Sequence, residues 1–333
     1  MELEKLKKLL KEEKEPEYRF RQIYQAVFKN FCFNFEEMTA LPEELKKKLK
    51  KEIEIFVFKL KDIKKGKEAE KALFQLKDGF YIETVLMRHK YGKKTVCVSS
   101  QVGCPLGCRF CATGKMGFKR NLNWQEITDQ VLFFAEKEKD KKLNVVFMGM
   151  GEPLLNYENV LKAIRVLNDK DGFNLGARAI SISTAGIIPG IKRLQKENLE
   201  INLAVSLNSP EDKQRTYLMP VNKTYPLKEL ILAAKNYVRT TKRKLFFEYI
   251  MLKDINDDRH SAQKLVKLLK NEPLFHVNLI RYHETETGFK SSEEKAILEF
   301  QNMLKRNGLG VTLRHSFGKE IKAACGQLAT SQE

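Results

Sequence analysis

The sequence predicts an α/β fold built around a mainly parallel sheet. Its 333 residues are enough for two domains, or for one large domain with an appendage. From residue 70 onward, short β-rich runs alternate with longer amphipathic stretches, a pattern typical of parallel βαβ units. Six such units form either a doubly wound sheet or an open, partial barrel. In both folds, functional residues gather where the strands end at their carboxyl side.

The predicted elements follow one another in a regular order. Two amino-terminal helices are predicted at residues 2–14 and 40–52, and the leucines of the first make one apolar stripe. The six predicted strands cover residues 95–99, 144–148, 180–184, 202–206, 245–251 and 275–280. The helices between and after them are predicted near residues 124–138, 156–168, 187–197, 227–239, 259–270 and 291–307.

The charge of the chain is strongly positive and unevenly distributed. Its 61 Lys and Arg against 43 Asp and Glu give a formal net charge of +18, which favours a polyanionic partner. Residues 71–120 hold ten basic and two acidic side chains, so they are a candidate phosphate-facing surface, with a solvated lysine-rich face as the alternative. No stretch of about 18 residues lacks charge and no secretory signal is present, so we expect a cytoplasmic protein without a membrane partner.

The same basic segment contains four of the six cysteines, Cys97, Cys104, Cys108 and Cys111. In a large chain without an export signal, clustered thiols are more typical of metal binding or catalysis than of a disulfide framework. The C-x3-C-x2-C run of residues 104–111 can wrap three thiolates around an iron–sulfur cluster and leave one iron open. Zinc is the alternative, with His89 and Cys97 nearby, but the usual paired spacing is absent.

Polar and glycine-containing motifs follow the predicted strands. Gly-Met-Gly-Glu-Pro at residues 149–153 follows the second strand, residues 183–186 end the third, and residues 206–208 end the fourth. His283 lies just beyond the sixth strand. Each motif is weak by itself. Because the carboxyl ends of parallel strands meet at one edge of a sheet, we expect these motifs and the cysteine run to form one site.

The cysteine run and four longer strings resemble the RlmN/Cfr family of RNA adenine methyltransferases, within the radical S-adenosylmethionine superfamily. The resemblance extends from about residue 17 to residue 328, and the strings are residues 97–104, 111–122, 148–156 and 323–328. It implies a partial (β/α)6 barrel core at residues 76–318, preceded by a small, mainly helical, RNA-directed domain at residues 1–75. Residues 319–333 are then a carboxyl-terminal tail that carries Cys325.

The resemblance implies two cofactors. Cys104, Cys108 and Cys111 would hold one [4Fe–4S] cluster, and S-adenosylmethionine would bind its open iron through the amino and carboxylate groups. Two molecules of S-adenosylmethionine are used in each turnover. One methylates Cys325, and the other yields a 5′-deoxyadenosyl radical. A radical is needed because carbon 2 of adenine is electron-poor, so ordinary displacement between it and an electrophilic methyl group cannot work.

The methyl group is expected to reach the RNA through the protein. By resemblance, hydrogen abstraction from S-methylated Cys325 gives a methylene radical, which attacks the base and forms a thioether crosslink. Cys97 then closes on Cys325 as a disulfide and releases the product. Glu83 matches the family's position for the base that assists proton removal. The alternative for Glu83 is a strand-end carboxylate that is satisfied locally.

The resemblance also implies S-adenosylmethionine contacts from seven residues, namely Gly151, Glu152, Ser183, Ser206, Leu207, Asn208 and His283. Glu152 would pair with the ammonium group of the ligand. Two positions depart from the family pattern, because the family usually has His where Asn208 stands and Asn where His283 stands. The two departures look reciprocal. We therefore hypothesise that Asn208 and His283 exchange donor roles around the ligand.

The favoured function is methylation of adenine carbon 2 in 23S ribosomal RNA, with transfer RNA as a candidate second substrate. The strings at residues 101–103 and 151–156 favour this reaction. Those at residues 279–282 and 314–318 favour the Cfr-type alternative, methylation at carbon 8, which protects ribosomes from antibiotics. An alternative of another class is a non-enzymatic zinc- or cluster-bearing RNA-binding module, which leaves Cys97 and Cys325 unexplained.

The partners follow from the same function. A flipped adenine must be presented to the site, so we expect the chain to bind RNA by its shape and by one unstacked base. Lys115, Lys119 and Arg120, beside the cysteine run, are the candidate phosphate contacts. An electron donor such as flavodoxin or ferredoxin is expected to reduce the cluster, and we expect the chain to be a monomer.

Overall fold

Residues 1–139 and 142–329 are described by this computed structural model. Within them, the strands are β1 (Phe58–Lys65), β2 (Ala69–Leu76), β3 (Tyr81–Arg88), β4 (Lys94–Cys97), β5 (Gln101–Gly103), β6 (Phe118–Asn121), β7 (Leu143–Phe147), β8 (Ile180–Thr184), β9 (Asn202–Ser206), β10 (Leu245–Met251), β11 (Phe275–Arg281) and β12 (Gly310–Leu313). The α-helices are α1 (Leu3–Glu12), α2 (Tyr18–Phe28), α3 (Glu43–Glu52), α4 (Ala112–Lys115), α5 (Trp124–Glu138), α6 (Tyr157–Asn168), α7 (Ile188–Leu194), α8 (Asp212–Leu218), α9 (Leu227–Thr241), α10 (Arg259–Leu269) and α11 (Glu294–Arg306).

Ten strands form one mixed sheet in the order β1-β2-β3-β4-β7-β8-β9-β10-β11-β12. Every neighbouring pair from β4 to β12 is parallel, whereas the pairs from β1 to β4 are antiparallel. The strands β5 and β6 form a separate antiparallel hairpin, and the cysteine run lies between them. The predicted α/β fold, with a βα core and a small helical amino-terminal region, is confirmed.

The six predicted strands correspond to β4 and β7–β11, in the predicted order. The elements that sequence reasoning missed are α2, α4, α8, the hairpin β5–β6, and the strands β1–β3 and β12. The edge strand β1 was missed because most of its residues are exposed and charged, as is common at sheet edges, and because its apolar–polar alternation shifts at a bulge between Leu60 and Asp62. The strand β12 is only four residues long.

The parallel strands carry polar residues on the face that lines the barrel. Along β8, Ile180 and Ile182 are buried in the apolar core, whereas Ser181 and Ser183 are half-buried. Ser181 lines a cavity between the strands, as does Asn144 of β7. The barrel interior is therefore open enough to receive a polar ligand, while the other face of each strand is in the core.

The amino-terminal helices pack against the core rather than standing apart from it. The hydroxyl of Tyr24 in α2 donates a 2.8 Å hydrogen bond to the Asp169 carboxylate, and the buried apolar residues of α1–α3 belong to the same core as those of the sheet. The strands β1 and β2 extend the core sheet, so residue 75, the predicted end of the amino-terminal domain, lies inside β2. Residues 330–333 of the predicted tail lie outside the described residues. Among the helices described, none is both long and apolar enough to cross a membrane.

Candidate active site at the carboxyl ends of the parallel strands

The loop between β5 and α4 brings together Cys104, Cys108 and Cys111. The amide of Cys104 donates a 2.8 Å hydrogen bond to the carbonyl of Gly117, and the amide of Cys111 donates to the carbonyl of Cys108 at 3.1 Å. Gly103 has a φ of +73°, and a Cβ atom there would clash with the Gly117 carbonyl. The loop is therefore folded tightly against the β5–β6 hairpin, and its three thiols share one small region.

Burial raises the pKa of all three thiols, and that of Cys104 reaches about 12. The charges of the neighbouring thiols raise it further for Cys104 and Cys108. Such thiols stay protonated until a cation replaces their protons. Among the described residues, no three His, Cys, Asp or Glu side chains converge closely enough to hold a single metal ion. Three thiols in one loop are a donor set that suits an iron–sulfur cluster, whose thiolates bind separate irons.

Glu152 lies directly after β7 and is buried beside the cysteine loop. Its carboxylate accepts hydrogen bonds from the amides of Ala185 at 2.7 Å and Leu154 at 3.0 Å. Its own amide donates to the side-chain oxygen of Gln101 at 2.8 Å. Gly151 has a φ of +98° and packs on Gln101, where a Cβ atom would lie 2.5 Å from that of Gln101. The Gly-Glu pair is therefore locked against β5, at the end of the sheet where the cysteine loop begins.

Burial raises the pKa of Glu152 to about 7, and the backbone hydrogen bonds oppose that rise. A substantial fraction is therefore protonated near neutral pH, and a bound ammonium group would favour the carboxylate. Ser183 and Ser206 are half-buried at the carboxyl ends of β8 and β9, on neighbouring strands. Leu207 is buried, and its amide donates to the Glu248 carbonyl at 2.9 Å. The structure thus brings these predicted ligand contacts to one edge.

Asn208 is engaged within the protein. Its side-chain oxygen accepts a 2.9 Å hydrogen bond from the Ile250 amide, and its side-chain nitrogen lies 3.3 Å from the Met219 sulfur. Its φ of +56° suits Asn better than most residues. His283 differs, because it lines the barrel cavity and its buried Nε2 has no partner among the described residues. The hypothesis that the two exchange roles stays a prediction, and the geometry favours His283 as the contact.

Cys97 and Cys325 line the same cavity of about 430 Å³ inside the barrel. Cys325 has exposed surface because it faces this cavity. Burial raises the pKa of both thiols, whereas the positive charge of Arg314 lowers it. Arg314 also lines the cavity, and its guanidinium lies 3.5 Å from the Glu248 carboxylate and 3.7 Å from the Met148 sulfur.

The segment after β12, residues 314–329, crosses from β12 to β2 and β3, and we call it the strap. Near its start, His315 lies 2.7 Å from the Glu68 carboxylate. Near its end, the amide of Ala329 donates a 3.1 Å hydrogen bond to Glu83. The strap therefore spans the open side of the barrel and holds Cys325 over the cavity. It links the parallel and the antiparallel parts of the sheet.

Glu83 lies in β3, two residues before Val85, which pairs with Cys97 across β3 and β4. Its buried carboxylate forms a 2.7 Å ion pair with Lys71 of β2. Burial raises the pKa of Glu83, and the positive charge of Lys71 opposes that rise. The carboxylate is thus satisfied locally and is also one strand away from Cys97. This position agrees with both interpretations of Glu83, as the base that assists proton removal and as a locally satisfied carboxylate.

Arg215 is a buried cation that sequence reasoning missed. Its guanidinium donates to the carbonyls of Ala185 at 2.6 Å, Ser206 at 3.1 Å and Leu207 at 3.1 Å. It therefore ties together the carboxyl ends of β8 and β9, which carry the predicted ligand contacts. Its positive charge also reaches Cys108, whose pKa it lowers against the effect of burial. An arginine in an amphipathic helix carries no sequence signal for such a role.

The three predicted phosphate contacts have different surroundings. Arg120 forms a bidentate pair with Glu126 at 2.8 and 2.9 Å, and a further bond with Asp78 at 2.5 Å. Lys115 donates to the carbonyl of Glu286. Lys119 is exposed and makes no ion pair among the described residues. The phosphate contacts stay predictions, and they are better supported at Lys119, because the charge of Arg120 already has two carboxylate partners.

Comparisons with known proteins agree with this geometry. A family model described as the Radical SAM superfamily matches residues 98–266, which include the cysteine loop and β7–β10. A second model, described as the ribosomal RNA large subunit methyltransferase N-terminal domain, matches residues 1–55. The two matches lie in the core and in the amino-terminal helical region respectively.

Full-length relatives extend the likeness to both ends of the chain. A probable dual-specificity RNA methyltransferase RlmN of Dictyoglomus turgidum is 44% identical over 98% of this chain and 94% of its own length. A ribosomal RNA large subunit methyltransferase Cfr of Lachnoclostridium phytofermentans is 46% identical over 98% of this chain and 96% of its own. The crystal structure of a radical SAM methyltransferase from Sphaerobacter thermophilus, 40% identical, superimposes with a TM-score of 0.94 over 98% of this chain and 97% of that one.

Proposed function

Because the chain belongs to the RlmN/Cfr family of radical S-adenosylmethionine RNA methyltransferases, we propose that it methylates carbon 2 of an adenosine in 23S ribosomal RNA. The cofactors of this family are a [4Fe–4S] cluster and S-adenosylmethionine. The observation that carries the proposal is that Cys97 and Cys325 line one cavity inside the barrel. Transfer of a methylene group through a protein thiol needs a carrier cysteine and a second cysteine to release the product.

The chain's own residues bind and orient the cofactors. Cys104, Cys108 and Cys111 hold the cluster, and Glu152 binds the ammonium group of S-adenosylmethionine in a buried site, where such a pair is strong. Ser183 and the other strand-end contacts fix the rest of the ligand. Once bound, the cluster and S-adenosylmethionine supply the radical that removes a hydrogen atom from the S-methyl group.

Cys325 is the methyl carrier and Cys97 the resolving thiol. A thiolate is the nucleophile in displacement at a sulfonium methyl group, so Cys325 must lose its proton in the first half-reaction. Arg314 assists, because a neighbouring positive charge stabilises the thiolate form. In the second half-reaction the crosslinked base first loses its ring proton and its unpaired electron, which returns to the electron carrier. The Cys97 thiolate then attacks the carrier sulfur, the sulfur–methylene bond breaks, and a Cys97–Cys325 disulfide forms while the released methylene carbon takes up a proton to become the methyl group. Glu83 accepts the proton lost from the base.

The choice of carbon 2 rests on two strings beside the cofactors. Residues 151–156 and 101–103 contain the locked Gly-Glu pair and its β5 support, and both strings favour this reaction. The Cfr-type reaction at carbon 8 is favoured by residues 279–282 and 314–318, which flank the cavity. The similarity to an RlmN relative at 44% and to a Cfr relative at 46% does not separate the two.

The test is mass spectrometry of RNA digests from cells that express this chain and lack other such enzymes. We expect 2-methyladenosine in 23S ribosomal RNA, and a Cys325→Ala variant is the control that should leave the RNA unmodified. Finding 8-methyladenosine would establish the alternative reaction. Methylation at an adenine nitrogen or at ribose would contradict the radical mechanism altogether. Digests of purified transfer RNA test the proposed second substrate in the same experiment.

The remaining partners are proposed on chemical grounds. The cluster must be reduced, so an electron donor such as flavodoxin or ferredoxin is required. We propose that the chain acts as a cytoplasmic monomer, that residues 1–75 help to bind RNA, and that Lys119 contributes a phosphate contact. Sedimentation of the chain at several concentrations checks the monomer, and reduction of the cluster by each donor checks the electron transfer.

A further inference from the structure

Two buried charges lie where the strap meets the antiparallel strands. Lys71 of β2 and Glu83 of β3 are each less than 10% exposed, and their ammonium and carboxylate groups are 2.7 Å apart. Two charges removed from water are costly unless their remaining hydrogen-bonding groups are also satisfied. Both groups find those partners in the backbone of the strap. Within the described residues, the Lys71 ammonium has two acceptors, the Glu83 carboxylate and the carbonyl of Lys322 in the strap.

Lys71 and Glu83 bind opposite ends of the Cys325 segment. The Lys71 ammonium donates a 3.0 Å hydrogen bond to the carbonyl of Lys322, three residues before Cys325. The Glu83 carboxylate accepts a 3.1 Å hydrogen bond from the amide of Ala329, four residues after it. A single ion pair thus fixes the backbone on both sides of the carrier cysteine.

The same segment is fixed from the cysteine loop. The Ala112 amide donates to the carbonyl of Gly326 at 2.8 Å, and the Thr113 hydroxyl donates to the carbonyl of Leu328 at 2.5 Å. Ala112 directly follows Cys111. The position of Cys325 is therefore set by the cysteine loop on one side and by the Lys71–Glu83 pair on the other.

Resting on the proposed function, we propose that Lys71 is a positioning residue for the methyl carrier. It holds the strap directly through the carbonyl of Lys322, and it holds Glu83 as the carboxylate that receives the Ala329 amide. Lys71 does not touch the reacting atoms. Its contribution is to keep the Cys325 sulfur where both the methyl donor and the RNA base can reach it.

The pair also couples the position of the strap to the protonation of Glu83. The positive charge of Lys71, and more weakly that of Lys64, opposes the rise in the pKa of Glu83 that burial causes. Loss of the Lys71 charge should therefore raise the pKa of Glu83 further. A carboxylate that accepts a proton during turnover must start deprotonated. The acid limb of the rate profile should then move to higher pH, which a purely structural role of Lys71 would not cause.

The test is Lys71→Met in the cluster-loaded enzyme, with Lys71→Arg as the conservative variant. Lys61→Met is the matched control, because Lys61 is an exposed lysine of the neighbouring strand β1. We expect amide hydrogen exchange in residues 319–329 to rise roughly tenfold in Lys71→Met. We expect kcat for RNA methylation to fall roughly 10- to 100-fold, with little change in KM for RNA and no change in iron content. Lys71→Arg should partly restore both the slow exchange of the strap and kcat. Lys61→Met should match the wild type in both.

Two outcomes would overturn the proposal. They are unchanged exchange in the strap of Lys71→Met, whether or not activity is lost, and an acid limb that does not move. If Lys71→Met fails to fold, Glu83→Gln serves instead. It keeps an acceptor for the Ala329 amide and loses the ion pair, so intermediate exchange supports the proposal and wild-type exchange contradicts it. The exchange measurement needs no RNA, so a failure of the proposed function would appear separately, as absent methylation by the wild type.

Discussion

The cysteine loop and the strap bring thiols to the same end of the sheet by different means. The loop is fixed by short-range bonds, such as that from the Cys104 amide to the Gly117 carbonyl. Besides its bonds to the cysteine loop, the strap is fixed by partners 246 to 253 positions away in the sequence, among them Glu83, Lys71 and Lys67. A loop of the first kind depends on its own residues, whereas a segment of the second kind depends on the completed sheet.

This difference predicts two kinds of sensitivity to substitution. Changing a loop cysteine removes a cluster ligand, and cluster binding should then be lost while the surrounding fold remains. Changing a contact of the strap leaves every reactive group present and alters its position or its charge environment. Effects of the first kind should be complete, and effects of the second kind should be graded.

The largest expected effect is that of Cys108→Ser in the loop. The serine hydroxyl is a poor ligand for iron compared with a thiolate, so cluster content and methylation should both be lost. Iron and sulfide analysis after anaerobic reconstitution measures the first, and RNA methylation measures the second. Cys32→Ser is the control, because Cys32 is half-buried in the amino-terminal region and should keep both. A fully active Cys108→Ser enzyme would contradict the local role of the loop.

Arg215→Met tests the support of the strand ends beside the loop rather than the cluster ligands. Removing the guanidinium leaves the carbonyls of Ala185, Ser206 and Leu207 without their donor. Hydrogen bonds to a charged donor contribute about 1.5–3 kcal/mol, so we expect the free energy of unfolding to fall by about 3 kcal/mol. Denaturant unfolding measures it. The exposed Arg306→Met should stay within about 0.5 kcal/mol of the wild type, and equal effects of the two would contradict the assigned role.

Arg314→Met tests the charge environment of the strap cysteine. Burial raises the pKa of Cys325 and Arg314 lowers it, so loss of Arg314 should raise the pKa. The thiolate is the reactive form, so below that pKa the alkylation of Cys325 should slow by roughly tenfold for each unit of rise. The pH profile of alkylation by iodoacetamide should accordingly move to higher pH.

Arg281→Met is the control for this comparison. Arg281 lines the same cavity but pairs with Glu294, so its loss should leave the profile of Cys325 in place. An unchanged profile in Arg314→Met would show that the strap thiol depends on burial alone.

The smallest expected effect is on RNA binding, and it concerns residues outside both segments that are proposed to contact phosphate. Lys119→Ala should reduce the slope of log affinity against log salt by roughly one, because one phosphate contact is lost. Arg120→Ala should leave that slope unchanged, since Arg120 is paired with Asp78 and Glu126. RNA binding over a range of salt concentrations checks both. Equal reductions in slope would place Arg120 at the phosphates after all.

The parallel core could be predicted from the sequence because its strands are short apolar runs with helices between them. The cluster loop could be predicted because three cysteines at fixed spacing form their site locally. Resemblance to a family supplied Glu83, Cys97 and Cys325. All of these signals can be read without knowing which residues far apart in the sequence are in contact in the fold.

Residues whose roles depend on contacts between distant parts of the sequence could not be predicted. In the sequence Lys71 resembles the other lysines of its segment, and only the strand register, which pairs it with Val85, makes it a diagonal neighbour of Glu83. Arg120 was predicted to bind phosphate from its place in the basic segment, and its pairing with Glu126 and Asp78 becomes evident only in the fold. Asn208 was assigned to the ligand by resemblance, and its bond to the Ile250 amide, which joins two strands, likewise has no sequence signal.

The long-range attachment of the strap has a consequence for folding kinetics. Its partners Lys71 and Glu83 lie on strands β2 and β3, about 250 positions earlier in the sequence, so the strap can dock only after those strands have joined the sheet. The sheet and the cysteine loop can assemble first, and closing the strap then costs only the entropy of a short segment. Early in refolding, Cys325 should therefore react with an alkylating reagent faster than it does in the native protein.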